Sequence, residues 1–286
     1  MNQDKIQAFL QELPVMHEDL PFSPEVLKQL FVQTGNGSLA SMEDVGGTLS
    51  KDQGLTARIL KLANSAYYGL QAEVQSVARA SAVLGMAEIR NIVLALGVTG
   101  LTRRYPMPED FDLGQYWAHQ FMVAMVAREL SRMTDVGKPE NLFTSGLLHD
   151  FGKLVTALKR PDDWLAIREI AESDEMIDSE AEEEYWGLDH AVIGALVLRS
   201  WDLPAALVEP VNWHHSPDLS PEFSSESNVI SLADSVVHAV DDPDGQYGEL
   251  VDELCQAVDV DMDDLLEVAE ELVDSDDVEQ FVNILS

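Results

Sequence analysis

His149, Asp150 and Lys153 bring an imidazole, a carboxylate and an ammonium into Ser145-Gly146-Leu147-Leu148-His149-Asp150-Phe151-Gly152-Lys153-Leu154, a run that is otherwise small or apolar. Leu147, Asp150 and Leu154 recur at i, i+3 and i+7, so the spacing predicts one helical run with the carboxylate on its core-facing stripe. A carboxylate taken out of water is costly unless a cation, a metal or a set of hydrogen bonds compensates it. The adjacent imidazole points to a metal. Lys153 offers the rival explanation, because three residues after Asp150 and four after His149 it could form an ion pair along the helix. This stretch alone leaves the two readings level.

Five more side chains could join it. His119 lies among Trp117, Phe121, Met122 and Val123; His190 follows Gly187-Leu188-Asp189 and opens a helix ending near Trp201. His214 and His215 close a helix begun at Pro204, and Asp234 shares a helix face with Ile230 and Val237. Taken singly, each has a plainer explanation: a hydrogen-bonded core histidine, or, for His214-His215 before Ser216-Pro217, the end of a helix. Together they read H…HD…H…HH…D along the chain, and five of the seven histidines take part.

The elements that must position these groups are helices. Ile89, Ile92, Val93 and Leu96 follow helical spacing, as do Leu55, Ile59 and Leu62, and Trp117 through Leu130 form a long apolar helix. Strand signals are scarce, so the fold class expected is all-α. Pro24, Pro139 and Pro204 mark first turns. Breaks at Gly35-Asn36-Gly37, Tyr105-Pro106-Met107-Pro108 and Asp241-Asp242-Pro243-Asp244-Gly245 lead to three parts: an N-terminal helical part, 1–107, a helical core, 108–240, and acidic C-terminal helices, 241–286. In the first part, Asn64 and Ser65 are expected to satisfy backbone groups at a helix end, and Tyr67-Tyr68 to pack. The glycines at 35, 37, 46 and 47 lack the strand and the Gly-Lys-Ser/Thr of a phosphate loop.

Composition narrows the function classes. The formal net charge is −35, from 17 Lys and Arg against 52 Asp and Glu, which repels nucleic acid and anionic membranes. The last basic residue is Arg199; beyond it, acidic pairs such as Asp263-Asp264 and Glu270-Glu271 alternate with Leu265, Leu266 and Leu272, the pattern of surface-packed acidic helices. One cysteine, Cys255, rules out an internal disulfide and a cysteine-based zinc cluster. No secretion signal and no run of about 20 apolar residues stands out, so a soluble, cytoplasmic protein is expected.

The ordered histidines and aspartates resemble the signature of the HD superfamily of metal-dependent phosphohydrolases. The resemblance implies that His119, His149, Asp150 and Asp234 hold one divalent transition metal (Fe, Mn, Zn, Ni or Co), and that His190, His214 and His215 hold a second, with Asp150 bridging. Asp150 and Lys153 would be the catalytic pair, the lysine assisting a phosphate oxygen. Leu20-Pro21, Asp52, Leu55-Thr56, Ala63-Asn64-Ser65-Ala66-Tyr67-Tyr68-Gly69, Leu84-Gly85, Arg90-Asn91 and Ser200-Trp201-Asp202-Leu203-Pro204 further resemble the HDOD family, the HD-related output domains of bacterial signalling proteins, over roughly residues 15 to 240. That family implies a multi-helix HD-type bundle and a regulatory module whose partner is a signalling protein or a small phosphorylated ligand. The complete two-metal pattern implies the alternative, an active phosphohydrolase on a nucleotide or other small phosphorylated substrate. Ser216-Pro217-Asp218 follows His214-His215 without a Gly-Tyr-Pro motif, and Gln115 stands four residues before His119 where a third-metal glutamate could sit. Both features set the chain apart from the HD-GYP phosphodiesterases of cyclic di-GMP.

Overall fold

The computed structural model describes residues 3–35, 38–65, 68–241, 247–273 and 276–285. Among them the chain is all helical, with no strand. The first part runs through α1 (Gln3–Glu12), a 3-10 turn (Leu13–Asp19), α2 (Pro24–Thr34), α3 (Met42–Leu49), α4 (Gln53–Ala63), α5 (Val77–Leu84) and α6 (Met86–Thr102). Local chemistry sets these limits. Pro24 occupies the first turn of α2, Ser41 and Asp44 close a capping box on α3, and Asp52 accepts from Leu55 N at the start of α4. Gly85, at φ +94°, joins α5 to α6 across a bend of 118°.

α6 is apolar nearly all round and is buried from Ile89 to Thr99, which marks it as a core helix. Among the described residues no single helix is long and apolar enough to cross a membrane. Two polar side chains inside α6 are tied down. Arg90 donates to Thr34 O at 3.3 Å and lies over the Phe31 ring, and Asn91 Oδ1 accepts from Thr144 Oγ1 at 2.6 Å. At the end of α4, Asn64 bonds Leu60 O and clasps Val74 through both its amide atoms. Ser65 does not share that role: its buried hydroxyl has no hydrogen-bond partner, and only its backbone N–H closes the turn, onto Leu62 O. Tyr68 bonds Glu88 at 2.6 Å; Asn36, Gly37 and Tyr67, and residues 242–246 of the third break, lie outside the described residues.

The core is built on α7 (Leu113–Thr134), which packs against α8 (Pro139–Leu148) and α14 (Ser224–Asp241). α9 (Phe151–Lys159) lies on α12 (His190–Ser200), flanked by α10 (Pro161–Asp174) and α11 (Asp178–Trp186), and α13 (Ala205–Trp213) bridges α12, α8 and α14. The acidic helices α15 (Tyr247–Val258), α16 (Met262–Val273) and α17 (Asp276–Leu285) turn their apolar faces inward. Phe281 of α17 stacks on Phe121 of α7 at 4.1 Å.

Two glycines allow the helices to approach closely enough to build a site. A Cβ on Gly146 would lie 2.8 Å from Ala124 Cα, so α8 meets α7 backbone to backbone. A Cβ on Gly152 would lie 1.9 Å from His190 O and 2.9 Å from Gly194 N, so α9 crosses α12 at a glycine pair.

Candidate metal centre

The run containing His149 and Asp150 is not one helix. α8 stops at Leu148, Asp150 sits at φ −94°, ψ 16°, and α9 begins at Phe151. His149 holds the bend, its Nδ1 being 2.8 Å from Gly146 O. The expected burial stands, since Leu147, Asp150 and Leu154 are all buried, but the break aims both polar side chains inward at a helix junction.

Each of the other sequence candidates reaches the same place from a different element: His119 from α7, His190 from the first residue of α12, His214 and His215 from the end of α13, and Asp234 from α14. Asp150 lies between two groups. Its Oδ2 is 3.5 Å from His149 Nε2 and 3.8 Å from His119 Nε2; its Oδ1 is 2.7 Å from His190 Nε2 and 3.9 Å from His214 Nε2. Asp234 Oδ1 lies 3.0 Å from His119 and 3.4 Å from His149. His215 Nε2 is 3.0 Å from His190 Nε2.

The histidines are oriented from behind. His149 Nδ1 faces Gly146 O and His214 Nδ1 faces Val211 O, each at 2.8 Å, and a carbonyl can only accept. Both imidazoles therefore carry their proton on Nδ1 and present an Nε2 lone pair to the centre. Glu182 of α11 does the same for His190: Oε2 is 2.7 Å from Nδ1 and also accepts the His190 backbone N–H at 2.6 Å.

Those lone pairs have no partner within the protein. His119 Nε2, His149 Nε2, His214 Nε2 and Asp234 Oδ1 are all buried without a hydrogen bond, even where His119 and Asp234 approach to 3.0 Å. Buried acceptors are not left unmatched without a reason. The spacing supplies one. Ligand atoms about 2.1 Å from a common ion lie about 3.0 Å apart on an octahedron and about 3.4 Å apart on a tetrahedron, the separations of Asp234 Oδ1 from His119 and His149. The donor set, neutral imidazole with carboxylate, fits a divalent transition metal.

Electrostatics agree with that fit. Burial would raise the carboxyl of Asp150, yet His149, Lys153 and His190 hold it well below the usual range. Burial likewise opposes ionisation of Asp234, and the His119 and His149 imidazoles outweigh it. Burial, with His149 and His190 nearby, pushes His214 down to about 3; it drives His215 well below its ordinary value too. His190 goes the other way, to about 10: burial lowers it, but Glu182 and Asp150 more than compensate. Two carboxylates are thus ionised at neutral pH, beside His214 and His215, which stay neutral, and His190, which Glu182 and Asp150 keep protonated.

The rival ion pair is present as well. Lys153 Nζ lies 2.9 Å from Asp150 Oδ2 and 3.3 Å from Asp178 Oδ2, and Arg168 Nη1 donates to Asp178 at 2.8 Å. Sequence reasoning missed Glu182, Asp178, Arg168 and His238. Asp178 and Glu182 are four apart on α11, a shared face, but neighbouring Glu180, Glu183 and Glu184 mask which acids turn inward. His238 follows Asp234 by four residues on α14, a legible spacing.

Two cavities reach the centre. One, of about 570 Å³, borders His119, Asp150 and Lys153 and extends past Tyr116 and Trp164 to Arg168. The other, of about 480 Å³, borders His190, His214, His215 and Asp234. Lys153, Asp178 and His238 line both.

A helical bundle with histidines and aspartates converging from α7, the α8–α9 bend, α12, α13 and α14 defines an HD-type protein. The family model of the HDOD domain matches residues 20–217, and the chain belongs to the HDOD family. A protein from Shewanella amazonensis SB2B, provisionally named a phosphohydrolase, is 29% identical; the match covers 98% of each chain with a TM-score of 0.74. A Marinobacter aquaeolei VT8 protein, provisionally named for signal transduction, shares the fold at 21% identity and a TM-score of 0.80, over 99% of this chain and 65% of that one. A Treponema pallidum (strain Nichols) protein of uncharacterised function is 23% identical over 226 residues; the match covers 78% of this chain and 43% of that protein, so the chain spans less than half of its length.

Proposed function

We propose that this HDOD protein binds divalent transition metal and hydrolyses a small phosphorylated molecule. The observation that carries the reading is the convergence of four buried, unpartnered ligand atoms on a centre bordered by a cavity of about 570 Å³. His119, His149, Asp150 and Asp234 would hold one ion; His190, His214 and His215, with Asp150 Oδ1, would hold a second. The chemistry such ions supply is Lewis-acid charge and water activation. Glu182 keeps His190 aimed at Asp150, while Lys153 and Arg168 bring positive charge to the wall where a phosphate would rest. The name of the Shewanella amazonensis relative is consistent with this reading.

A regulatory module with a ligand-binding or structural metal is the second reading, and one observation favours it. Lys153 is held between two carboxylates, Asp150 and Asp178, which neutralise the charge that a phosphate would need. Metal-loaded protein assayed on nucleotide, cyclic dinucleotide and phosphomonoester panels separates the two, with Asp150→Ala as control. Turnover abolished in the variant supports hydrolysis. Bound metal with no turnover on any panel supports the regulatory module.

A further inference from the structure

The order of histidines and aspartates that identifies the centre leaves out His238, yet the structure puts this side chain at the same oxygen as two members of the set. Asp234 Oδ1 lies 3.4 Å from His238 Nε2, 3.4 Å from His149 Nε2 and 3.0 Å from His119 Nε2. Three imidazole nitrogens crowd one carboxylate oxygen, and none of them makes a hydrogen bond to it. A simple ion pair would aim at least one N–H along the line to the oxygen. Separations of 3.0 to 3.4 Å without that alignment are instead the edges expected around a shared cation with bonds of about 2.1 Å. His119, Asp234 and His238 each offer an atom within 4.8 Å of the other two, a donor group distinct from the one His119 makes with His149 and Asp150.

The surroundings of His238 fix its ring. On α14 it stands one turn after Asp234, so both point to one side. Its other face stacks on Tyr247 of α15, with ring centroids 4.6 Å apart and planes within 11°, and its ring centroid is 4.7 Å from that of His119. Its side chain is 33% exposed, whereas those of His149 and His214 are fully buried, and it lines both cavities. It therefore occupies the open side of the centre, where a ligand can approach.

We infer that His238 is a further metal ligand, completing with His119 and Asp234 the donor set of an ion on the cavity side of the centre, and that Tyr247 positions it. The inference rests on the metal reading above. Like Asp234, His238 and Tyr247 lie after residues 20–217, the stretch that the HDOD family model matches.

The test is metal binding by the full chain. Wild type, His238→Ala and His238→Gln are stripped with chelator, and titrated with Mn²⁺ and with Co²⁺. Stoichiometry comes from elemental analysis, affinity from competition with a chelating dye, and the Co²⁺ visible spectrum reports nitrogen ligation. Far-UV circular dichroism of the stripped proteins shows that each variant is folded, and the glutamine variant retains bulk if alanine does not fold. The expected result is a loss of at least about 10-fold in affinity for one ion in both variants, with an altered Co²⁺ spectrum. Affinity within about twofold of wild type and an unchanged spectrum would overturn the inference and leave the metal reading standing. No metal bound by wild type would overturn both.

Discussion

Substituting Gly152 by alanine tests whether the close crossing of α9 and α12 builds the centre. The added Cβ would sit 1.9 Å from His190 O, 2.7 Å from His190 C and 2.9 Å from Gly194 N, all backbone atoms that cannot rotate away. Reaching an ordinary contact of about 3.3 Å requires the helices to separate by about 1.4 Å, an overpacking strain at the upper end of the 1–3 kcal/mol range. For a chain of this length, about 3 kcal/mol corresponds to a fall in Tm of roughly 5 °C. The displacement acts on the site, because His190 opens α12 and lies 2.7 Å from Asp150, which caps α9. Metal affinity should fall together with Tm. Gly194→Ala is a milder comparison, its Cβ meeting Gly152 N at 2.9 Å, and Gly47→Ala a neutral one, with nothing within 4 Å in the middle of α3. The expected order of Tm is Gly47→Ala at or above wild type, then Gly194→Ala, then Gly152→Ala, read by thermal unfolding of stripped protein. Gly152→Ala melting within about 1 °C of wild type, with unchanged metal affinity, would refute the packing argument.

Glu182→Gln removes the anion behind His190; metal affinity should drop about 10- to 100-fold, measured by dye competition, while the fold persists in circular dichroism. The pH dependence of stripped protein should have two limbs of opposite sign. His190, raised to about 10 in the folded state, contributes stability that is full below the ordinary histidine value and is lost as pH rises toward 10; His214, lowered to about 3, makes stability fall as pH drops below that same value. Denaturant unfolding across pH 4 to 10 should therefore lose its alkaline limb in His190→Gln and part of its acid limb in His214→Gln, and unchanged limbs would contradict the assignments. Lys159→Met removes the bonds from Lys159 Nζ to Asp19 and Tyr105, both 2.6 Å, and leaves a largely buried carboxylate to the more distant Arg104, 3.5 Å away; a loss of about 1–3 kcal/mol in urea unfolding is expected.

The sequence carried much of this architecture because its signals were local. Pro24 and Pro139 mark helix starts in the structure as in the sequence, and the apolar spacing of α6 and α7 follows directly from residue type. The candidate residues His119, His149, Asp150, His190, His214, His215 and Asp234 were legible through their order along the chain, H…HD…H…HH…D, which resembles the HD superfamily; singly, each had a plainer explanation. What was not legible depended on how helices cross. The break at Asp150 follows from the α8–α9 junction folding over α12 at Gly152, which no helical period reveals. Glu182 is one acid among several on α11, and only packing shows it facing His190. Ser65 looked like a partner for the end of α4 beside Asn64, but the Asn64–Val74 clasp takes that place.

The central claim, that the His/Asp centre holds divalent metal, is tested most directly by elemental analysis of the purified chain grown in metal-supplemented medium, beside Asp150→Ala and His149→Ala. About one equivalent or more of a transition metal per folded wild-type chain is expected, with loss of most of it in both variants. A folded wild-type protein with less than about a tenth of an equivalent after loading would contradict it, as would variants that keep the full complement.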